Sequence, residues 1–532
     1  MPECQRETPA DVEIRIAPRE PVLDPRLGID VEPNTGPTQH RLVTLGDSLT
    51  HGFMSGAVYR TDLSWPTIVA YELGLDGDNF RSPTYEWPTG PGGIPLDLER
   101  LARSFEARYG PRLDWWEIVG AGLWVRSYMD DIEDFWERGP GSSTPPTGAP
   151  FHNMAVFGWD PLDAVLLDAP TVSQRIDEPA DDLFDQVVEN SGDRAALTVL
   201  QRALVDGQPA TVLETAATMA APTGGGIETL VVALGANNAL GAVVNLAPCW
   251  TTDGYLDLSP TERLEAKGSF NVWQPSHFES DWSLLVAELR KIDAHHVIVA
   301  TVPSVTIAPI ARGVAGKVKP DSRYFPYYTR PWITDEDFDP LRDPHLTEDE
   351  VRAVDSAIDA YNETIIESVT RARRDGLDWY LFDMGALLDR LARRRYIESQ
   401  WARPSWWEPY DLPPELAALD PVPNTRFFRS GPAGRTDGGL FSLDGTHPTT
   451  IGYGILAQEV IRVMELAGVQ FAHRDGTPRP GPIDVDFGRV LAADTLLDDP
   501  PASVSPSLSL LGWLDELLDW TSRILPFTPN PL

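Results

Sequence analysis

Residues 41–52 read Arg41-Leu42-Val43-Thr44-Leu45-Gly46-Asp47-Ser48-Leu49-Thr50-His51-Gly52. Leu42, Val43 and Leu45 make a short apolar run, and Gly46 ends it before a polar stretch. Such a pattern predicts a buried strand that breaks at a glycine into a turn or helix start. A serine just past the break stands beyond the carboxyl end of its strand. There its hydroxyl is exposed, and a helix N-terminus offers free N–H groups and a favourable dipole for developing negative charge. Gly-Asp-Ser alone would serve equally well as a helix cap, so its meaning depends on the rest of the chain.

Working outward, the same pattern returns. Ser64–Gly74 predicts a helix capped by Ser64 and stopped by Gly74. His152–Asp160 is a second apolar run holding a glycine, Thr229–Leu234 a third that breaks at Gly235, His295–Pro303 a fourth and Asp378–Gly385 a fifth. Between them lie stretches at helical spacing: 183–190, 196–206, 281–292 and the long 348–376, with 449–466 after the last strand. Continuous apolar strands alternating with amphipathic helices predict an α/β fold whose parallel sheet is covered on both faces. Ligands in such sheets bind beyond the carboxyl ends of the strands. Residues 1–40 read as an irregular, Pro-rich leader and 41–470 as the α/β domain, with insertions near 75–150 and 386–440. Residues 471–532 read as a Pro-rich extension ending in an amphipathic helix, 507–525.

Three further positions carry chemistry. His447 lies in Asp444-Gly445-Thr446-His447-Pro448, directly before a helical stretch. A carboxylate three residues ahead of an imidazole can reach Nδ1, fix the tautomer and leave Nε2 for a serine. Asn237, in Gly235-Ala236-Asn237-Asn238, follows the most apolar strand and places an amide donor at the sheet edge where Ser48 is expected. Gly158 offers a backbone N–H at close approach.

Taken in order, these four segments resemble the motif blocks of the SGNH/GDSL hydrolase family. Gly46–Gly52 matches the nucleophile block, Asn153-x-Ala155-x-x-Gly158 the second, Gly235–Asn238 the third and Asp444–Pro448 the last. The resemblance implies a flavodoxin-like three-layer α/β/α sandwich. It implies Ser48 as nucleophile, His447 as base and Asp444 as its orienter. The oxyanion hole would be built from the Ser48 and Gly158 N–H groups and the Asn237 amide, with no metal or organic cofactor. The implied activity is carboxylic ester hydrolysis through an acyl-serine. The alternatives are an acyltransferase using the same triad, and a catalytically silent lipid- or glycan-binding protein. Asn238 stands where the family pattern has Asp. The Trp residues of 386–440 could wall an acyl pocket, stack on a sugar or simply pack.

Composition narrows the partners. Against 80 Asp and Glu stand 43 Lys and Arg, a formal net charge of −37. That field repels nucleic acid and anionic membranes and favours a small, neutral ester substrate. Only four residues are Lys (267, 291, 317, 319); a salt-adapted surface and a GC-rich coding bias explain this equally well. No stretch of 20 residues is uniformly apolar, so no membrane span is expected. Membrane docking through the final helix is disfavoured by its acidic polar face. The polar N-terminus has no apolar signal segment, and the expectation is cytoplasmic. Cys4 falls in a tail read as mobile, so no bridge to Cys249 is expected.

Overall fold

In the computed structural model, which describes residues 4–504 except 33, 35, 86–89, 111–116 and 177–187, together with Gly512, the opening stretch forms strand β1, His40–Gly46. It pairs in parallel with β2, Ile227–Ala233, which pairs with β3, His296–Ala300, and this with β4, Trp379–Phe382. The four make one parallel sheet. His152–Val156 runs along the free edge of β1 without becoming a regular strand. The Thr44 N–H donates to the His152 carbonyl (2.8 Å), and the Met154 and Val156 N–H groups donate to Thr44 (2.9 Å) and Gly46 (3.1 Å). Counting that edge, the order across the sheet is second, first, third, fourth, fifth in the sequence.

Alternate residues of each strand enter different cores. Val43, Leu45, Leu230, Val232, Val297, Val299 and Leu381 share one with Phe278, Trp282 and Val354, whereas Leu42, Val231, Ile298, Tyr380 and Phe382 share the other with Trp65, Val69 and Ile461. Burying both faces is what makes these strands read as unbroken apolar runs. The helices that cover the sheet include α2 (Trp65–Glu72) and α7 (Thr450–Leu466) on the second face, and α4 (Pro275–Leu289) and α5 (Glu348–Arg374) on the first. Strong local signals set their limits. In α5 a Thr347/Glu350 capping box opens the helix, Glu348 and Asp349 sit in its first turn, and Arg371, Arg373 and Arg374 in its last. Each charge is placed to favour the helix dipole. Between sheet and site lie the short α1 (Ser48–His51), α3 (Asn237–Val244) and α6 (Met384–Leu391).

Several local expectations are corrected. Ser64 occupies the N-cap of α2, but its hydroxyl donates to the Thr61 carbonyl (2.7 Å) instead of capping the helix. The helix expected over 196–206 runs from Ser191 to Leu200, and Leu204–Val205 turns back on Gln208–Pro209 as a hairpin. Asp206 and Gly207 have φ of +51° and +75°, the Asp-Gly turn that favours a hairpin over a continuing helix. Of 183–190, residues 183–187 lie outside those described, and Val188–Asn190 are not helical. The final amphipathic helix at 507–525 also lies outside the described residues, apart from Gly512.

The leader is irregular except for one helical turn, Asp24–Leu27, but it is docked. Cys4 is bonded to Cys249 in a disulfide spanning 245 residues of sequence, contrary to the expectation of a mobile tail. The Trp250 N–H donates to the Gln5 carbonyl (2.9 Å), and Val12 is buried. Asp24 accepts from the Leu381 N–H (2.7 Å) and pairs with Arg373. No helix among the described residues is long and apolar enough to cross a membrane.

Candidate active site

Parallel registers that end together (Gly46 opposite Ala233, Val232 opposite Val299, Phe382 opposite Ala300) gather the loops after all the strands at one edge of the sheet. Gly46 is the first requirement. A Cβ there would lie 2.4 Å from Thr50 Oγ1 and 2.8 Å from the Ala233 carbonyl, so only glycine lets the chain turn into α1. Asp47 caps α1 by accepting from the Leu49 N–H (3.0 Å). Ser48 is then the first helical residue, with an N–H that has no intrahelical acceptor.

Ser48 Oγ is 2.8 Å from His447 Nε2, although the two are 399 residues apart. His447 Nδ1 is 3.1 Å from Asp444 Oδ2 and 2.9 Å from Thr446 Oγ1. An ionised carboxylate only accepts, so Nδ1 carries the proton and Nε2 presents a lone pair to the serine. Asp444 is completely buried, and each oxygen is used: Oδ1 accepts from the N–H groups of Thr446 and His447 (both 2.8 Å), Oδ2 from the Gly56 N–H (2.9 Å). Burial alone would push this carboxyl up. The His447 imidazole and these N–H donors outweigh it and hold Asp444 below the usual carboxylate range. The tilted Phe53 ring lies 4.5 Å from the imidazole. Asp47, with fewer donors, is pushed up to about 7 by burial.

The edge segment approaches from the other side of β1. Asn153 ties it to α1: its Oδ1 accepts from Thr44 Oγ1 (3.1 Å) and its Nδ2 donates to the Thr50 carbonyl (2.9 Å). Gly158 has φ of +79°, a conformation that glycine adopts without strain. Asn237 Nδ2 donates to the carbonyl of the next residue, Trp159 (2.6 Å). One amide hydrogen is used there and the second is left for another acceptor. Ser48, Asp444 and His447 are thus brought into one chain of contacts, and Gly158 and Asn237 meet beside it through Trp159.

Two supporting residues, Lys267 and His51, were given no role from the sequence. Lys267 Nζ donates to the Gly158 carbonyl (3.1 Å) and pairs with Asp163 and Asp160. His51 Nδ1 accepts from the Phe157 N–H (3.1 Å), while its Nε2 meets the Tyr85 hydroxyl (3.0 Å). Burial pushes this imidazole down to about 3, so it stays neutral, as an acceptor at Nδ1 requires. Both brace the turn at Gly158. His51, inside the stretch Gly46–Gly52, was the available signal for one; nothing near Lys267 marks the other. Asn362 clamps the end of β3 through both Val302 backbone groups (2.7 and 2.9 Å). The Asn238 side chain is buried, and neither of its polar atoms has a partner among the described residues.

A cleft of about 100 Å³ opens beside Ser48 and His447, walled mainly by apolar side chains such as Ala236, Leu240, Val305, Leu387, Leu391 and Ile455. No tryptophan among the described residues lines it. Trp407 is buried against Tyr396 and donates to the Asp389 carbonyl, and Trp401 is 73% exposed. Compared with known families, curated proteins and solved structures, the chain matches none.

Proposed function

We propose that this protein is a serine esterase of the SGNH/GDSL type, cleaving carboxylic esters through an acyl-serine, on a flavodoxin-like version of the α/β fold. The observation that carries the reading is the 2.8 Å contact between Ser48 Oγ and His447 Nε2, with Asp444 behind the imidazole. His447 Nε2 takes the serine proton as Oγ attacks the ester carbonyl, and the carbonyl electron pair moves onto oxygen. The Ser48 N–H, the Gly158 N–H and the free hydrogen of Asn237 Nδ2 are the donors at hand for that oxyanion. The resulting imidazolium faces Asp444, then gives its proton to the departing alkoxide. Water repeats the sequence to release the acid and restore Ser48. The apolar cleft favours an acyl chain over a sugar, because its described lining is mostly aliphatic, with Phe441 and the His447 imidazole its aromatic rings, and holds few polar groups.

The test is hydrolysis of p-nitrophenyl esters of increasing acyl length, with Ser48→Ala alongside. Turnover that vanishes in the variant, together with fluorophosphonate labelling of Ser48 in the parent, supports the reading. Equal turnover by Ser48→Ala refutes it. Labelling without turnover on any ester points to a binding protein instead.

A further inference from the structure

A second cavity, of about 270 Å³, adjoins the Ser48 cleft, and Thr425 forms part of both walls. Its chemistry is inverted. Seven arginines line it against two carboxylates, Asp335 and Asp437, in a chain whose net charge is −37. Some of this charge is matched internally: Arg312 by Asp335 (2.5 Å), Arg393 and Arg426 by a shared Glu398 (both 2.8 Å), Arg426 also by Asp437 (3.4 Å), and Arg395 by Asp355 (3.0 Å).

A surplus remains. Arg394 forms no ion pair among the described residues. One of its amino groups donates to the Gly313 carbonyl (2.7 Å), and its guanidinium lies 4.5 Å above the Phe325 ring. Arg323 is buried, with its Nε lacking any hydrogen-bond partner among the described residues. Lys317 Nζ, just behind, sits 4.3 Å from the centre of the same Phe325 ring and, among the described residues, donates only to backbone carbonyls. Burial and the neighbouring Arg395 and Arg394 push the Lys317 ammonium down to about 7, and Arg394 is lowered by burial and then by Arg312 and Arg426. Glu398 and Asp335 act on Arg394, Glu398 on Lys317 and Asp355 on Arg323, but these carboxylates are shared among more cations than they can neutralise, and cations crowded in this way are costly and are relieved by an anion.

We propose that this arginine-lined pocket is a binding site for a phosphoryl group. Guanidinium forks match tetrahedral oxyanions in pairs of parallel hydrogen bonds, and a dianion offsets surplus charge that a single carboxylate would leave. The phosphoryl group has two sources. It is either part of the ester, whose acyl chain then lies in the adjoining apolar cleft, or free phosphate acting beside the reaction. The first source rests on the Ser48 reading; the pocket itself does not.

Inorganic phosphate is titrated calorimetrically into the full chain at physiological ionic strength. Saturable binding with Kd below about 1 mM is expected, weakened at least about tenfold in Arg394→Gln and less in Arg394→Lys. Where Arg394→Gln does not fold, as judged by circular dichroism, Arg429→Gln on the exposed rim is expected to give a smaller loss in the same measurement. No saturation by about 50 mM phosphate, or equal binding by a folded Arg394→Gln, overturns the proposal. Paired esters of one acyl chain, on glycerol and on glycerol phosphate, separate the sources. A kcat/KM preference for the phosphorylated ester that Arg394→Gln erases assigns the phosphate to the substrate. Equal rates, with phosphate still bound, assign the pocket to the free ion. Inertness toward every ester refutes the Ser48 reading and leaves the titration as the test of the pocket.

Discussion

Asp444 does two things at once: it holds the His447 tautomer and ties together three backbone N–H groups from two loops. Asp444→Asn can keep the packing but puts an amide against Nδ1, favouring the wrong tautomer. The expected outcome is a kcat lower by on the order of 10⁴ with a melting temperature changed far less; a mild kcat effect would remove Asp444 from the relay. At the oxyanion, Asn237→Ala is expected to lower kcat by about 10² to 10³ with little change in KM, because its donor acts on charge that exists only in the transition state. Lys267 donates to the Gly158 carbonyl, not to the reacting atoms, and acts through position alone. Lys267→Met is therefore expected to lower kcat less than Asn237→Ala and to shift no pH profile of kcat.

At the scale of elements, α6 supplies Leu387 and Leu391 to the cleft wall, and its N-cap is Asp383. That carboxylate accepts from Arg19 (2.6 Å) and from the Val22 N–H (2.8 Å), both in the leader. Arg19→Ala is expected to raise KM for long acyl esters more than for acetate esters, measured side by side; an equal rise would deny the leader its hold on the wall. The disulfide secures the other end of the leader. Reduction by dithiothreitol is expected to destabilise the protein by about 2–4 kcal/mol in denaturant melts, and Cys4→Ser should show the same loss and no further response to reductant. Much of this was legible in the sequence. Strands buried on both faces read as apolar runs, and the glycines that end them announced the loops. The sequence placed Asp444 three residues ahead of His447, which already implied their contact. What stayed hidden was long-range: where a proline-rich leader docks, and which cysteine it carries to which. The hairpin at 204–209 was missed for another reason, since helical spacing outweighed the Asp-Gly turn. The arginines of the second pocket come from residues 312 to 429; the run Arg393-Arg394-Arg395 was a local signal, but its meeting with Arg312, Arg323, Arg426 and Arg429 depends on the fold.

For the whole molecule, buried carboxylates set the response to pH. Burial pushes Asp47, Asp97, Asp389 and Asp494 each up to about 7. An unfolded chain releases those protons near the ordinary aspartate value of about 3.9. Between these limits the folded state binds more protons, so stability falls as pH rises. Asp444 works the other way: held below its ordinary value, it adds stability that is lost as pH falls through its folded pKa. His51 and His152, pushed down to about 3, and Lys317, pushed down to about 7, also favour the higher pH. The raised carboxyls, which include Asp160 and Glu133 at about 7, outnumber them, so the melting temperature is expected to be higher at pH 5 than at pH 8; a flat or rising profile would contradict it. Self-repulsion at −37 adds to the loss on the alkaline side.

A pocket of fixed cations inside so negative an envelope also has a kinetic signature. An incoming dianion first meets repulsion from the envelope and feels the guanidinium groups only at short range. Added salt screens the outer field more than the sheltered inner one. Capture should therefore quicken as ionic strength rises, the reverse of the usual behaviour for a cationic site and readable by stopped-flow mixing.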